Sequence, residues 1–259
     1  MVNYETSANE LCTQWHAEIP GMQPNTVPEL LVAFEGLSSR RHDALLATQL
    51  NDTGRGKARG GYHEVEEQFR DDYPHIAPKS VFYFDPNYRE RWTGLSQEIT
   101  DFIDMADAVY GDATRNIRGV FSVLDSQPTH SGLVDTTFPQ VTQGGIECNA
   151  RLVLARYGIP ELKDTREVFE THRDSLLSAA VLGETVQGFY FADAEGQPEH
   201  YDLRSRSVVF VGRRWEKMYP TSPIKAIPHG VRPPDNTPAQ VRTSAILFID
   251  PVPYWDRSL

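Results

Sequence analysis

Two short units in the sequence pair a histidine with an aspartate two positions later. They are His172-Arg173-Asp174 and His200-Tyr201-Asp202. On a β-strand, residues two apart point to the same face, so either unit can present an imidazole and a carboxylate to one metal ion. Two histidines and one carboxylate, with open coordination positions, form the ligand set of a non-haem iron(II) oxygenase. Either unit therefore needs a second histidine at a suitable distance.

The distance to a further histidine separates the two units. In a jelly roll, the strand that carries the second histidine follows several strands later, after roughly 50 to 60 residues. His229 lies 57 residues after His172 but only 29 after His200. We therefore predict that His172, Asp174 and His229 bind one metal ion. The histidines predicted not to be ligands are His63, His130 and His200.

An arginine and a hydroxyl follow this candidate metal site. Arg242 comes 13 residues after His229, and Ser244 stands two positions further, at the start of the apolar run 245–248. On a strand the guanidinium and the hydroxyl share one face. A guanidinium can bind a carboxylate through two parallel hydrogen bonds. The spacing predicts a carboxylate-binding site beside the metal.

The elements that would position these groups change in character near residue 118. Before it, apolar residues at helical spacing predict a helix through 95–110, and Val81–Phe84 is a strand candidate. After it, short β-type runs alternate with turn residues, which is the pattern of an antiparallel jelly roll. These runs are Gly119–Leu124, Arg151–Leu154, Phe169–His172, Leu176–Leu182, Gly188–Ala192, Ser207–Val211, Pro223–His229 and Ala245–Ile249.

We therefore predict a mainly β protein with N-terminal helices and a double-stranded β-helix (jelly roll) core. The economical division is a single domain over residues 1–259. Within it, residues 1–117 form a helical and mixed N-terminal part, and residues 118–259 form the jelly-roll core with both sites. No G-x-G-x-x-G follows a strand, so a dinucleotide-binding fold is not indicated.

The composition argues against several classes of protein. The 259 residues include 25 Lys and Arg against 36 Asp and Glu, a net charge of −11. Because phosphate binding needs a concentrated positive surface, no nucleic-acid partner is expected. No run approaches the roughly 18 apolar residues of a membrane span, and residues 1–20 lack the apolar segment of a signal peptide. Cys12 and Cys148 are too few for a disulfide framework, so a cytoplasmic protein is expected.

Several further spacings agree with one known family. Tyr157 precedes His172 by 15 residues, a Gly-aromatic strand begins at Gly188, and the segment 242–251 consists of Arg-Thr-Ser, an apolar strand and then Asp-Pro. Over roughly residues 151–251 the sequence resembles the isopenicillin-N-synthase-like branch of the Fe(II)/2-oxoglutarate-dependent oxygenases. Two departures are Ala155, where the family often has asparagine, and an interval from His229 to Arg242 that is a few residues longer.

The resemblance implies a complete set of roles. His172, Asp174 and His229 would bind Fe(II). The distal carboxylate of 2-oxoglutarate would be held by three further residues, Arg242, Ser244 and Tyr157. With O2, the enzyme would oxidise a C–H bond of a small molecule by hydroxylation, desaturation or cyclisation, and release succinate and CO2. The sequence does not name the substrate, and the missing nucleic-acid signature leaves a small molecule, such as an amino acid or a natural-product intermediate.

Two other interpretations stay open at this point. Some relatives keep the arginine and serine and use iron and O2 without 2-oxoglutarate, and a jelly roll can also serve as a non-catalytic binding protein. Phe248 would pack under the co-substrate or simply be a core aromatic residue.

The resemblance also raises the question of what covers the site. Relatives use a C-terminal helix, whereas only eight residues follow Pro251. The candidates for a closing segment are Asn51–Gly61 with Tyr62-His63, which is rich in glycine, and the proline-rich Arg232–Pro238. Both also have the composition of plain surface loops.

Overall fold

A computed structural model describes residues 2–23, 25–40, 42–50, 60–64, 79–138, 150–159, 169–232 and 240–250. Within these ranges the α-helices are α1 (Tyr4–Gln14), α2 (Thr26–Arg40), α3 (His42–Leu46), α4 (Gln97–Asp125), α5 (Leu133–Thr137) and α6 (Arg213–Met218), with 3-10 turns at Pro86–Arg91 and Pro128–His130. The strands are β1 (His16–Glu18), β2 (Gly61–Glu64), β3 (Lys79–Phe84), β4 (Ala150–Ile159), β5 (Phe169–His172), β6 (Ser178–Glu184), β7 (Phe189–Ala192), β8 (Pro198–His200), β9 (Val208–Val211), β10 (His229–Val231) and β11 (Gln240–Ile249).

These strands form two antiparallel sheets that face each other. The larger sheet has the order β1-β9-β6-β11-β4-β3-β2, and the smaller sheet has the order β5-β10-β7-β8. Aromatic side chains close part of the space between the sheets, where the ring of Phe189 lies 5.8 Å from the ring of Phe210. The predicted jelly roll with N-terminal helices is confirmed.

Helices cover the outer face of the larger sheet. Side chains of a strand alternate between the two faces, and Leu152 and Leu154 on β4 accordingly join the cluster buried under the helices, while Val153 faces the other sheet. The ring of Phe102 on α4 packs 4.9 Å from that of Phe82 on β3. Each such side chain contributes about 1.5–3 kcal/mol when fully buried. Within the described ranges, no helix has both the length and the apolar character needed to span a membrane.

One predicted strand is wrong. Gly119–Leu124 lies in α4, which runs to Asp125 and therefore crosses the boundary drawn between residues 117 and 118. The segment is rich in residues that favour strands, but Ile117, Val120, Phe121 and Leu124 are all buried and follow helical spacing. The periodicity of the buried stripe, rather than local propensity, decides the structure here.

The N-terminal part of the chain contributes strands to the jelly roll as well as covering helices, and the division at residue 117 stays a prediction. Strands β1, β2 and β3 come from the N-terminal part and join the larger sheet of the jelly roll. Of the predicted run Pro223–His229, only His229 lies in a strand, at the start of β10. Most of that run has no regular structure.

The proposed closing segments lie largely outside the described residues, which omit 51–59 and 233–239. The part of the first segment that is described is not a surface loop. Gly61, Tyr62 and His63 belong to β2, and all three are buried. Their pairing with β3 makes them part of the sheet.

The start of β2 depends on a glycine. Gly61 has a φ of +73°, and a Cβ added there would lie 1.9 Å from the carbonyl oxygen of Thr48. Gly94 also has a positive φ, of +72°, but a Cβ added there would have no atom within 4 Å. A substitution at Gly94 therefore measures the cost of backbone strain alone.

We expect Gly94→Ala to cost about 1–2 kcal/mol of unfolding free energy, and Gly61→Ala to cost more than about 3 kcal/mol. Urea denaturation measures both, and equal losses would contradict the steric argument.

Candidate active site

The smaller sheet places two histidines opposite each other on neighbouring strands. Strands β5 and β10 pair so that His172 stands opposite His229, and their rings lie 4.5 Å apart. Asp174 follows two residues after His172. Its Oδ1 lies 3.4 Å from Nε2 of His172, and its Oδ2 lies 3.6 Å from Nε2 of His229. One ligand atom from each of the three residues lies within 4.8 Å of the others. The structure therefore brings the predicted metal set together.

The chemistry of this set fits a divalent metal ion. Nδ1 of His229 donates a hydrogen bond to the carbonyl of Ile227 at 3.1 Å, which leaves Nε2 as the acceptor that faces Asp174. Burial disfavours the charged ring and lowers the pKa of His229 to about 4, although Asp174 opposes this shift. A neutral imidazole is the form that binds a metal.

The carboxylate is also in its metal-binding form. Burial alone would raise the pKa of Asp174, but the hydrogen bond from His172 and the charges of His229 and His172 outweigh it and hold this pKa below its usual value. At neutral pH the set thus offers a neutral imidazole at His229 and an ionised carboxylate at Asp174.

The metal set lies in a cavity of about 160 Å³ between the sheets. Arg242 and Tyr157 line the same cavity, and most of the remaining wall is apolar. The apolar lining residues are Val153, Ala155, Val181, Phe189, Phe210, Val231, Ile246 and Phe248. A larger cavity of about 460 Å³ lies between residues 18–32, the end of β6 and residues 203–207, and its lining includes none of the predicted site residues. Chemistry, rather than size, identifies the smaller cavity as the candidate site.

The larger sheet carries the residues that are predicted to bind a carboxylate. Arg242 on β11 pairs in register with Tyr157 on β4, and its Nη1 donates a hydrogen bond of 2.5 Å to the Tyr157 hydroxyl. That hydroxyl lies 3.2 Å from Oγ of Ser244. Ser244 is fully buried but is not among the residues that line the cavity. Its described side-chain link to the cavity is the Tyr157 hydroxyl.

A residue that the sequence reasoning missed completes this network. The carboxylate of Glu184 accepts hydrogen bonds from Nε of Arg242 at 3.0 Å and from Nη2 at 2.5 Å. It also accepts the backbone N–H groups of Gly188 and Phe189, each at 3.2 Å. The side chains of Glu184 and Arg242 are 0% and 1% exposed, so this is a buried ion pair.

A bulge in β6 places Glu184 on the inner face. Val181 pairs with Ile246 on β11, but the register shifts before the next pair, and Glu184 stands opposite Ser244. Without the extra residue, strict alternation from Val181 would turn Glu184 toward the helices. In the sequence, the only indication of a role for Glu184 is its position as a lone glutamate at the end of an apolar run.

Arg242 keeps donors for a ligand. Desolvation favours its neutral form, but Tyr157 and Glu184 outweigh this effect and raise the pKa of the guanidinium, so it is charged. A guanidinium has five N–H donors. Glu184 takes Nε and one N–H of Nη2, and Tyr157 takes one N–H of Nη1. One N–H on each terminal nitrogen has no partner among the described residues, so the guanidinium can still donate to a ligand carboxylate.

The other singled-out residues take different places. Phe248 lines the cavity and packs in the cluster around Val153. His63 contacts the Gly60 carbonyl at 2.8 Å, and His130 contacts Oγ of Ser222 at 2.8 Å. His200 lies on β8 at the edge of the smaller sheet.

Comparisons with known proteins relate the fold to solved structures. No family model matches the sequence, and no curated protein matches it. A proposed oxygenase from Shewanella oneidensis superposes with a TM-score of 0.68 at 12% identity, over 96% of this chain and 87% of that one. A full-length Neurospora crassa protein, solved in complex with α-KG and 5-formyluracil, gives 0.67 at 14% identity over 95% and 78%. JOX2 in complex with 2OG, Fe and JA gives 0.66 at 12% identity over 96% and 71%. The chain shares the fold of these proteins.

The assignment of the metal ligands can be tested by metal binding alone, without an activity assay. His229→Ala should weaken Mn(II) binding at least about 100-fold, because a direct ligand is lost. His200→Ala is the matched control, since it removes the histidine of the other H-x-D unit and should leave binding unchanged. Calorimetric titration of the folded variants measures both. A His229→Ala variant that binds Mn(II) like the wild type would contradict the assignment.

Proposed function

We propose that this protein is an Fe(II)- and 2-oxoglutarate-dependent oxygenase that oxidises a C–H bond of a small molecule and releases succinate and CO2. One observation carries the proposal. A single cavity contains both a His-Asp-His set with metal-binding geometry and a buried arginine with two N–H groups that have no partner within the described part of the chain.

The metal would be held by His172, Asp174 and His229. Two imidazoles and one carboxylate leave coordination positions open for other ligands, which is the arrangement of non-haem iron(II) oxygenases. Iron held there would supply the one-electron and O2 chemistry that side chains lack. The bond from His229 to the Ile227 carbonyl fixes the orientation of the ring and the nitrogen that faces the metal.

The co-substrate would lie between the two sites. Arg242 and Tyr157 would bind the distal carboxylate of 2-oxoglutarate, while Ser244 would hold the Tyr157 hydroxyl in place. The cavity of about 160 Å³ is well below the 300–1,000 Å³ that is typical of pockets for drug-sized ligands. A small dicarboxylate suits this space. The apolar walls, including Phe248, would exclude water and strengthen the ion pairing inside.

The substrate would be a small molecule, such as an amino acid or a natural-product intermediate, that diffuses in the cytoplasm. Two structural neighbours were solved with small ligands, 5-formyluracil in the Neurospora crassa protein and JA in JOX2. The net charge of −11 supports the choice of a small molecule over nucleic acid. Hydroxylation, desaturation and cyclisation all begin with attack on a C–H bond, so the site serves any of them.

A substrate screen tests the proposed function. The full-length protein is supplied with Fe(II), 2-oxoglutarate and O2, and candidate amino acids and natural-product intermediates are added. Succinate release that depends on one of these compounds supports the proposal. Oxidised product without succinate would instead identify an oxidase that does not use 2-oxoglutarate, and metal binding with neither would identify a binding protein.

Arg242→Ala should weaken 2-oxoglutarate binding by one to two orders of magnitude. It removes a charge-assisted contact worth about 1.5–3 kcal/mol. The dissociation constant is measured by calorimetry on Mn(II)-loaded protein whose circular dichroism spectrum is native. Arg115→Ala is the control, because Arg115 is exposed and pairs only with Asp112 in the described structure. An unchanged constant in Arg242→Ala would place the co-substrate elsewhere.

A further inference from the structure

Glu184 is a buried carboxylate for which the proposed reaction has no direct use. It does not line the cavity around the metal set, although it is among the residues that line the larger cavity of about 460 Å³, and its side chain is 0% exposed. All of its described hydrogen bonds serve Arg242 or the backbone N–H groups of Gly188 and Phe189. Arg242, which lines the cavity of the metal set, is therefore the charged group that connects Glu184 to a ligand bound there.

The surroundings fix the guanidinium before a ligand arrives. Glu184 binds Nε and Nη2 along one edge, and Tyr157 binds Nη1. The turn after β6 packs directly on the side chain, since a Cβ added to Gly188 would lie 3.1 Å from Nε of Arg242. The arginine side chain is therefore held in place, with its remaining N–H groups already oriented. This reduces the side-chain entropy that is lost when a ligand binds.

The negative charge of Glu184 lowers the affinity for a ligand carboxylate, whereas the fixed position of the guanidinium favours binding. Glu184 and Arg242 together are neutral, so the guanidinium has a counter-ion inside the protein. A ligand carboxylate at the free N–H groups would place two negative charges on one positive charge in a dry site. Charges interact strongly where water is excluded. The two carboxylates therefore repel each other, and the ligand gains less than it would from an unpaired arginine.

We propose that Glu184 sets the affinity of this site for dicarboxylates by competing with the ligand for the charge of Arg242. The inference rests on the proposed function, which places the distal carboxylate of 2-oxoglutarate at Arg242. Succinate carries the same carboxylate pair at closer spacing, so it meets the same competition. An unpaired buried arginine would hold both dicarboxylates more tightly and slow product release. Glu184 is in this sense a positioning residue that also limits affinity.

Glu184→Gln separates the two roles. The amide oxygen can still accept from Arg242 and Phe189, so the guanidinium stays in place. The amide nitrogen replaces the oxygen that accepts from Gly188, and the negative charge is gone. We expect the dissociation constants for 2-oxoglutarate and succinate to fall at least about tenfold. The Tm without ligand should fall, because a buried charge loses its partner, and the rise in Tm on adding 2-oxoglutarate should exceed that of the wild type. Calorimetry and thermal denaturation of Mn(II)-loaded protein measure these values.

The experiment has a matched control variant, and it separates failure of the inference from failure of the co-substrate assignment. Glu195→Gln removes an exposed carboxylate and should bind both ligands like the wild type. A purely structural role for Glu184 predicts weaker binding in Glu184→Gln, so unchanged or weaker binding by the folded variant overturns the inference. A wild-type protein that binds neither dicarboxylate refutes the co-substrate assignment itself.

Folding of the variant is part of the test. If Glu184→Gln is unfolded alone, 2-oxoglutarate at concentrations that saturate the wild type should restore its native circular dichroism spectrum, because the distal carboxylate replaces the missing counter-ion. Failure to restore the spectrum counts against the inference.

Discussion

A guanidinium with 1% of its side chain exposed is the most demanding group in this core. A buried charge is tolerated only when it is paired and its hydrogen bonds are made. Three elements meet that requirement for Arg242: β11 carries the residue, β4 supplies Tyr157, and the end of β6 supplies Glu184. The register of the central strands is therefore tied to one ion pair, and so is the shape of the cavity beside it.

The two sheets carry different parts of the candidate site. In the smaller sheet, His172 lies on β5 and His229 on β10, and Asp174 follows β5, while the larger sheet carries Arg242 and its partners. Packing of the sheets through residues such as Phe189 and Phe210 holds the two groups on opposite walls of one cavity. Binding of a ligand that contacts both walls thus depends on sheet packing as much as on the polar residues.

The covering helices are part of the same arrangement. The larger sheet has one face toward the cavity and one toward α2 and α4, so its strands alternate between residues that face the cavity, such as Val153, and apolar residues that face the helices, such as Leu152 and Leu154. The N-terminal part is consequently not an accessory to the jelly roll. It contributes β1, β2 and β3 to the sheet and α4 to the core on which the site-bearing strands rest.

Local rules of sequence were sufficient to predict the fold class and to group His172, Asp174 and His229 with Arg242 and Ser244, whereas Tyr157 joined the candidate site only through the resemblance to a known family. Residues two apart share a face of a strand, and a jelly roll returns to its metal site after a known length of chain. Binding of iron and 2-oxoglutarate by these residues stays a prediction. The role of Glu184 and the helical state of 119–124 depend instead on contacts between distant segments. A single bulge reverses the face on which Glu184 lies, and no local pattern announces where an extra residue will be inserted. Residues 119–124 favour a strand locally, but the buried stripe of α4 extends through them, and burial against the sheet outweighs propensity.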